Sequence, residues 1–205
     1  MTAPVALLAS YLLGAIPTSY LAGRLFRGID LREHGSRNLG ATNLYRVLGW
    51  RYAVPVGLFD MAKGAVPVLL LAPRVSDSEL FGLACGLAAV VGHVFSVFVR
   101  FRGGKGVATA AGVMLGLAPV ALGVAALVWA ALVFLTGYVS VGSIGGAAIL
   151  PVAVYLLDRP ERPEILWIVV ALAGAIIWLH RANIRRLVEG TENRFGRRAA
   201  GSARR

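Results

Sequence analysis

The sequence predicts an all-α fold: a polytopic membrane helix bundle of seven transmembrane helices, N-terminus outside and C-terminus cytoplasmic. Three observations carry that reading. Of the 205 residues 58% are hydrophobic, with a mean hydropathy of +0.72, and only 15% are charged, too few for a soluble domain of this size. Several apolar runs approach the roughly 20 residues that a helix needs to cross a bilayer. Those runs are continuous rather than alternating, which argues against a β-barrel. Residues 1–195 read as one membrane domain and 196–205 as a basic, disordered tail.

The net charge of +11 would suggest nucleic acid in a soluble protein. Here no basic stretch is interleaved with exposed aromatics, and basic residues on cytoplasmic loops explain the charge by setting topology. Nucleic acid is therefore not an expected partner. The single Cys85 excludes an intrachain disulfide. The first basic residue, Arg24, follows the first apolar run, so the N-terminus does not read as a secretory signal.

The first helix is expected over Pro4–Leu25, kinked at Pro17, with Thr18 and Ser19 near the freed carbonyls. Arg24–Arg51 holds Arg24, Arg27, Arg32, Arg37, Arg46 and Arg51 and is read as a cytoplasmic loop. The second helix covers about Tyr52–Leu71. Its Asp60 and Lys63 share a face, and an internal ion pair holding helices together outweighs a functional role for them. An outer loop, Pro73–Glu79, precedes the third helix, about Leu80–Val99.

The apolar stretch Val107–Leu135 would be about 43 Å long as one helix, against a core of about 30 Å. Gly116 and Pro119 mark a break, giving Val107–Leu117 and Pro119–Leu135. Two crossings rather than one make seven in all and put the arginine-rich tail inside. The half-length first piece must then be shielded by protein. Thr136–Val141 is a turn, Gly142–Leu157 the sixth helix, Asp158–Pro163 an outer loop and Ile165–Leu179 the seventh helix. Gly82/Gly86, Gly112/Gly116 and Gly142/Gly146 are spaced for close packing within one chain rather than for a dimer seam, so a monomer is expected.

Three polar segments fall on one side of this arrangement. The first, His34–Arg46, combines hydroxyls, amides and a guanidinium suited to a phosphate and a polyol, although Gly, Ser and Asn also serve ordinary loops. The second is Arg100-Phe101-Arg102-Gly103-Gly104-Lys105-Gly106, with His93 upstream. Its glycines free the backbone to turn, and the helix start behind it favours an anion. It lacks the Walker spacing. Only Lys63 and Lys105 among the 21 basic residues are lysine, which suggests sites that want a compact ammonium. The third, His180–Phe195, puts His180 and Asn183 on one helical face. Arg185 there reads as part of an amphipathic surface helix.

Taken together, Gly35-Ser36-x-Asn38-x-Gly40-Ala41-Thr42-Asn43-x-x-Arg46, Gly92-His93-x-Phe95, Phe101-Arg102-Gly103-Gly104-Lys105-Gly106-Val107-Ala108-Thr109, His180-x-x-Asn183-Ile184-x-Arg186-Leu187 and Gly190-Thr191-Glu192 resemble the PlsY family, the bacterial membrane acyl-phosphate:glycerol-3-phosphate acyltransferases. Asp60-x-x-Lys63-Gly64 and Gly14–Leu25 are similar as well. Arg37 stands where the family usually has glycine, and Ser96 where it usually has proline.

The resemblance implies transfer of a fatty acyl group from acyl phosphate to the 1-hydroxyl of glycerol 3-phosphate. The products are lysophosphatidic acid and phosphate, in the first step of phospholipid biosynthesis. It implies no metal or organic cofactor, a multi-pass protein of the bacterial inner membrane and a cytoplasmic active site. Ser36, Arg46, Lys105, His180 and Asn183 are then the catalytic set around glycerol 3-phosphate. Asn38, Gly40, Thr42, Asn43, His93, Gly103, Gly104, Gly106, Thr109, Arg186 and Glu192 are the further substrate contacts, with the loop amides on the acyl phosphate and the oxyanion. The general base is either the donor phosphate or one of His93 and His180. The rival reading is a transporter of organic phosphates, which would show inverted repeats and midplane polar residues; here the polar segments gather at one face and no repeat is evident.

Overall fold

The computed structural model describes residues 1–158 and 163–195. Most of the expected Asp158–Pro163 loop and the whole 196–205 tail lie outside the described residues. Every regular element among the described residues is helical. The chain forms two compact units, Met1–Pro119 and Val120–Arg205.

In the first unit the expected kink at Pro17 is a full break, with α1 over Ala3–Ala15 and α2 over Thr18–Arg27. Pro17 offers no N–H, and the chain restarts with Thr18 N–H donating to the Ile16 carbonyl at 3.0 Å. The stretch read as a loop contains a helix, α3 (Ala41–Leu48), which begins after the extended Gly40 and ends at Gly49, φ 91°. Its buried Leu44 packs with Leu31, Leu39, Ala22, Ala53 and Val99, so tertiary packing holds a segment too short to be stable alone.

Helix α4 (Trp50–Val66) continues through a π turn at Pro67–Leu71 and a 3-10 turn at Ala72–Arg74, because Pro67 has no N–H for the regular ladder. Helix α5 (Glu79–Val94) ends earlier than expected, followed by a short turn at Val97–Val99. There Ser96 donates its hydroxyl to the Ala15 carbonyl at the end of α1, a bond that proline could not make. Helix α6 spans Val107–Leu117, as the Gly116/Pro119 break predicts. It lies so close to α4 that a Cβ on Gly112 would strike the Met61 carbonyl and one on Gly64 the Thr109 carbonyl.

The second unit comprises α7 (Pro119–Thr136), α8 (Val139–Ala153) with a π turn at Val154–Asp158, α9 (Pro163–Leu179) and α10 (Arg181–Val188). Asp158 Oδ2 accepts from Ala121 N–H at the start of α7 (2.9 Å), and a Cβ on Gly142 would lie 2.8 Å from the Trp129 carbonyl oxygen. The glycine pairs therefore serve packing within the chain.

Among the described residues, five helical segments are long and apolar enough to cross a membrane: Ala3–Arg27, Trp50–Arg74, Glu79–Val99, Pro119–Thr136 and Val139–Asp158. Pro163–Leu179 with Arg181–Val188, bent by 51°, makes a sixth when the pair is taken as one span. Helix α6, with 11 residues, is about 16 Å long, roughly half of a core of about 30 Å.

Candidate active site

The first polar segment is built around two buried side chains. Asp30 accepts from the Arg32 backbone N–H (3.0 Å), from Arg32 Nη2 (2.7 Å) and from Arg24 Nη2 (3.3 Å). The hydrogen bonds from Arg32 outweigh the cost of burial and, with the charges of Arg32 and Arg24, hold its carboxyl down at about 2. Asn43 is 1% exposed. Its Oδ1 accepts from Ser36 N–H (2.7 Å), and its Nδ2 donates to the carbonyls of His34, Asn38 and Leu31. Asn43, expected to contact substrate, has its amide committed here to folding the loop back over α3. Thr42 and Arg46, four apart on α3, share a face. Ser36, Asn38, Gly40, Thr42 and Arg46 are all partly accessible.

The second segment meets the first. A Cβ on Gly104 would touch the His93 ring and lie 2.6 Å from the Leu39 carbonyl oxygen. Leu39 lies just before α3 and Gly104 just before α6, so two helix starts converge here, each with unbonded N–H groups and partial positive charge. The partly accessible Lys105 sits between Gly104 and α6.

Four residues expected as substrate contacts in this segment take structural positions. The N–H groups of Gly103 and Gly104 donate to the carbonyls of Val94 (2.9 Å) and His93 (3.1 Å), so they close the loop rather than await an anion. The amides left for that role are those opening α6. Gly106, buried at φ 77°, supplies the left-handed turn into α6. Thr109 is fully buried, its carbonyl against Gly64, and its hydroxyl has no hydrogen-bond partner among the described residues.

Beneath this loop lies a polar cluster inside the helices. Lys63 Nζ is 2.7 Å from Asp60 Oδ1 and donates to the Ile16 carbonyl at 2.9 Å. Thr18 Oγ1 donates to Asp60 Oδ1 (2.6 Å), and His93 Nδ1 is 3.8 Å from the same oxygen. The expected ion pair is thus formed. Ile16, Pro17, Thr18, Leu39, Lys63 and His93 line, with Gly103 and Gly104, a cavity about large enough for one water.

The third segment is organised within the second unit. Buried Glu192 accepts from Asn183 Nδ2 (2.7 Å), Ser140 Oγ (3.0 Å) and Arg186 Nε (2.6 Å). Burial acts to raise the Glu192 carboxyl, but these three donors and the Arg186 charge outweigh it, and the net shift is downward. Glu192 is therefore a clamp on Asn183 and Arg186, with its acceptors occupied by protein. Sequence reading missed Ser140, which has no local motif to mark it. His180 Nδ1 lies 2.8 Å from the Ile176 carbonyl. A carbonyl only accepts, so Nδ1 carries the proton and the neutral ring has its lone pair on Nε2. Arg185 is exposed and pairs with Glu189, in keeping with a surface helix. No group of three or more His, Cys, Asp or Glu among the described residues is arranged to hold a metal ion.

Residues 4–190 match the family model described as glycerol-3-phosphate acyltransferase. The curated relatives named glycerol-3-phosphate acyltransferase include one from Trichlorobacter lovleyi, 48% identical over 91% of this chain and 94% of its own length. Another, from Chlorobaculum parvum, is 44% identical over 93% and 96%. Among solved structures, the integral membrane acyltransferase PlsY in its glycerol 3-phosphate form superposes with a TM-score of 0.86 at 38% identity, covering 95% of this chain and 96% of that one. Its lysophosphatidic acid form gives 0.84 at 36% identity, covering 95% of each chain. With an α-helical membrane fold, phosphate-suited loops and matches of this extent, the chain belongs to the glycerol-3-phosphate acyltransferase family.

Proposed function

We propose that this protein transfers a fatty acyl group from acyl phosphate to the 1-hydroxyl of glycerol 3-phosphate. The observation that carries the reading is the convergence of two helix starts at Leu39 and Gly104, beside Lys105. Positive helix ends with a lysine and Arg46 at hand suit two phosphates, whose mutual repulsion is severe at low dielectric.

Acyl phosphate is a mixed anhydride with a good leaving group. The 1-hydroxyl oxygen attacks the acyl carbon, a tetrahedral oxyanion forms, and the carbon–oxygen bond to phosphate breaks, releasing inorganic phosphate. The hydroxyl proton goes to the donor phosphate or to His180 Nε2, whose lone pair the Ile176 carbonyl fixes by holding Nδ1–H. Ser36, Arg46, Lys105, His180 and Asn183 hold glycerol 3-phosphate. The amides at the start of α6, with Asn38 and Thr42, hold the acyl phosphate and the oxyanion. Glu192 and Asn43 act through the residues they fix.

In this reading the protein is a monomer of the bacterial inner membrane with seven crossings, α6 being a short, shielded one, and the site faces the cytoplasm. Purified full-length protein given both substrates should release phosphate, with neither substrate sufficient alone. Glycerol 3-phosphate flux into liposomes without turnover would overturn the enzyme in favour of a transporter. Cysteine placed at Ser36 in a Cys85→Ala background should react with an impermeant maleimide in inverted vesicles and not in intact cells.

A further inference from the structure

We infer that Asp60, Lys63 and His93 are positioning residues for the Gly103-Gly104-Lys105 loop, beyond joining helices. The inference rests on the reading that this loop handles phosphate. A buried ion pair is a poor stability device: apolar residues of similar size in its place are often neutral or stabilising. Asp60 and Lys63 are 1% and 2% exposed, so helix association alone does not explain them.

Their contacts run to the loop. His93 is the hub: its carbonyl takes the Gly104 N–H (3.1 Å), its ring lies against the Gly104 Cα, and its Nδ1 is 3.8 Å from Asp60 Oδ1. Lys63 and Thr18 fix the Asp60 carboxylate from the two sides of the helix break, Lys63 through the Ile16 carbonyl and Thr18 through its own hydroxyl. Of the three Lys63 N–H donors, two are used, by Asp60 and Ile16. The third has no partner among the described residues, and Lys63 lines the cavity that His93, Gly103 and Gly104 also line. Lys63, Asp60, His93 and Gly104 thus form one chain from the interior to the residue preceding Lys105. A displacement of about 1 Å at a reacting group can cost up to about a hundredfold in rate, so the set acts by placing Lys105 and the start of α6.

The test is the neutral double variant Asp60→Asn/Lys63→Met, assayed for phosphate release and thermal stability in detergent. The expected result is a folded protein, its Tm close to wild type, with kcat/KM for acyl phosphate lowered about tenfold to a hundredfold. Wild-type kcat/KM in the folded double variant overturns the inference and leaves the pair a structural one. Should the double variant not fold, Thr18→Val decides, since it keeps both charges and withdraws one hydrogen bond from Asp60. A loss of about threefold or more in kcat/KM at unchanged Tm is then expected, and wild-type kinetics overturns the inference. If wild-type protein itself releases no phosphate from the two substrates, the functional reading fails instead.

Discussion

Two buried carboxylates, Asp60 in the first unit and Glu192 in the second, are answered differently. Asp60 is met by a lysine on its own helix and a threonine from α2, with the His93 ring of α5 3.8 Å away. Glu192 is met by Asn183 and Arg186, from nine and six residues away, and by Ser140 from α8. The first is a charge neutralised deep among helices, and what it controls lies beyond it, in a loop. The second is a charge that gathers donors directly and fixes the side chains expected to touch substrate. A buried acid can therefore serve a site at one remove or at two, and its partners distinguish the cases.

Four substitutions would break or sharpen that contrast. The largest effect is expected from His180→Gln: if Nε2 takes the hydroxyl proton, kcat falls by about two to four decades. A loss confined to substrate affinity would make His180 a binding residue and give the proton to the donor phosphate. Lys105→Ala should cost about two to three decades in kcat/KM, as for removal of one charge-stabilising donor. A smaller loss than in the Asp60/Lys63 double variant would break the idea that the interior pair acts through Lys105.

Glu192→Gln should lower kcat/KM roughly tenfold to a hundredfold, because Arg186 loses its counter-charge within a buried network. The same variant tests a pH effect. The folded carboxyl lies below its ordinary 4.5, so its contribution to stability is present above pH 4.5 and is lost as pH falls through the lower folded value. Thermal unfolding of Glu192→Gln should show a flatter acid limb than wild type, and an identical limb would refute the pairing.

The smallest effect belongs to Arg37, which is exposed and held at φ 60°, where a side chain costs about 1 kcal/mol and glycine is at ease. Arg37→Gly should raise stability by up to about 1 kcal/mol with kinetics within about twofold. Weaker affinity for glycerol 3-phosphate would instead reveal a phosphate contact by Arg37.

The apolar runs made most helices legible, including the α6/α7 break at Gly116 and Pro119, because continuous hydrophobicity and proline act locally. Helix α3 was not legible: His34–Arg46 carries the composition of a loop, and the helix within it is secured by Leu44 packing against residues distant in sequence. The residues of the candidate site could be named from their chemistry, but not which of them face inward. Asn43, Thr109 and Glu192 look like ligand contacts in the sequence. Asn43 and Glu192 are committed to Ser36 and Ser140, while Thr109 packs its carbonyl on Gly64 and leaves its hydroxyl unpartnered among the described residues; spacing alone associates none of these pairs. The amides of Gly103 and Gly104 likewise have acceptors on the end of α5, which the sequence pattern does not show.

The one-turn spacing of Asp60 and Lys63 bears on biosynthesis. A lone helix carrying both can bring its counterion with it into lipid, so α4 need not wait for a neighbour to become tolerable there. The Ile16 carbonyl that completes the lysine's bonding belongs to the segment made just before it. Insertion in the order of synthesis therefore presents the acceptor before the donor arrives.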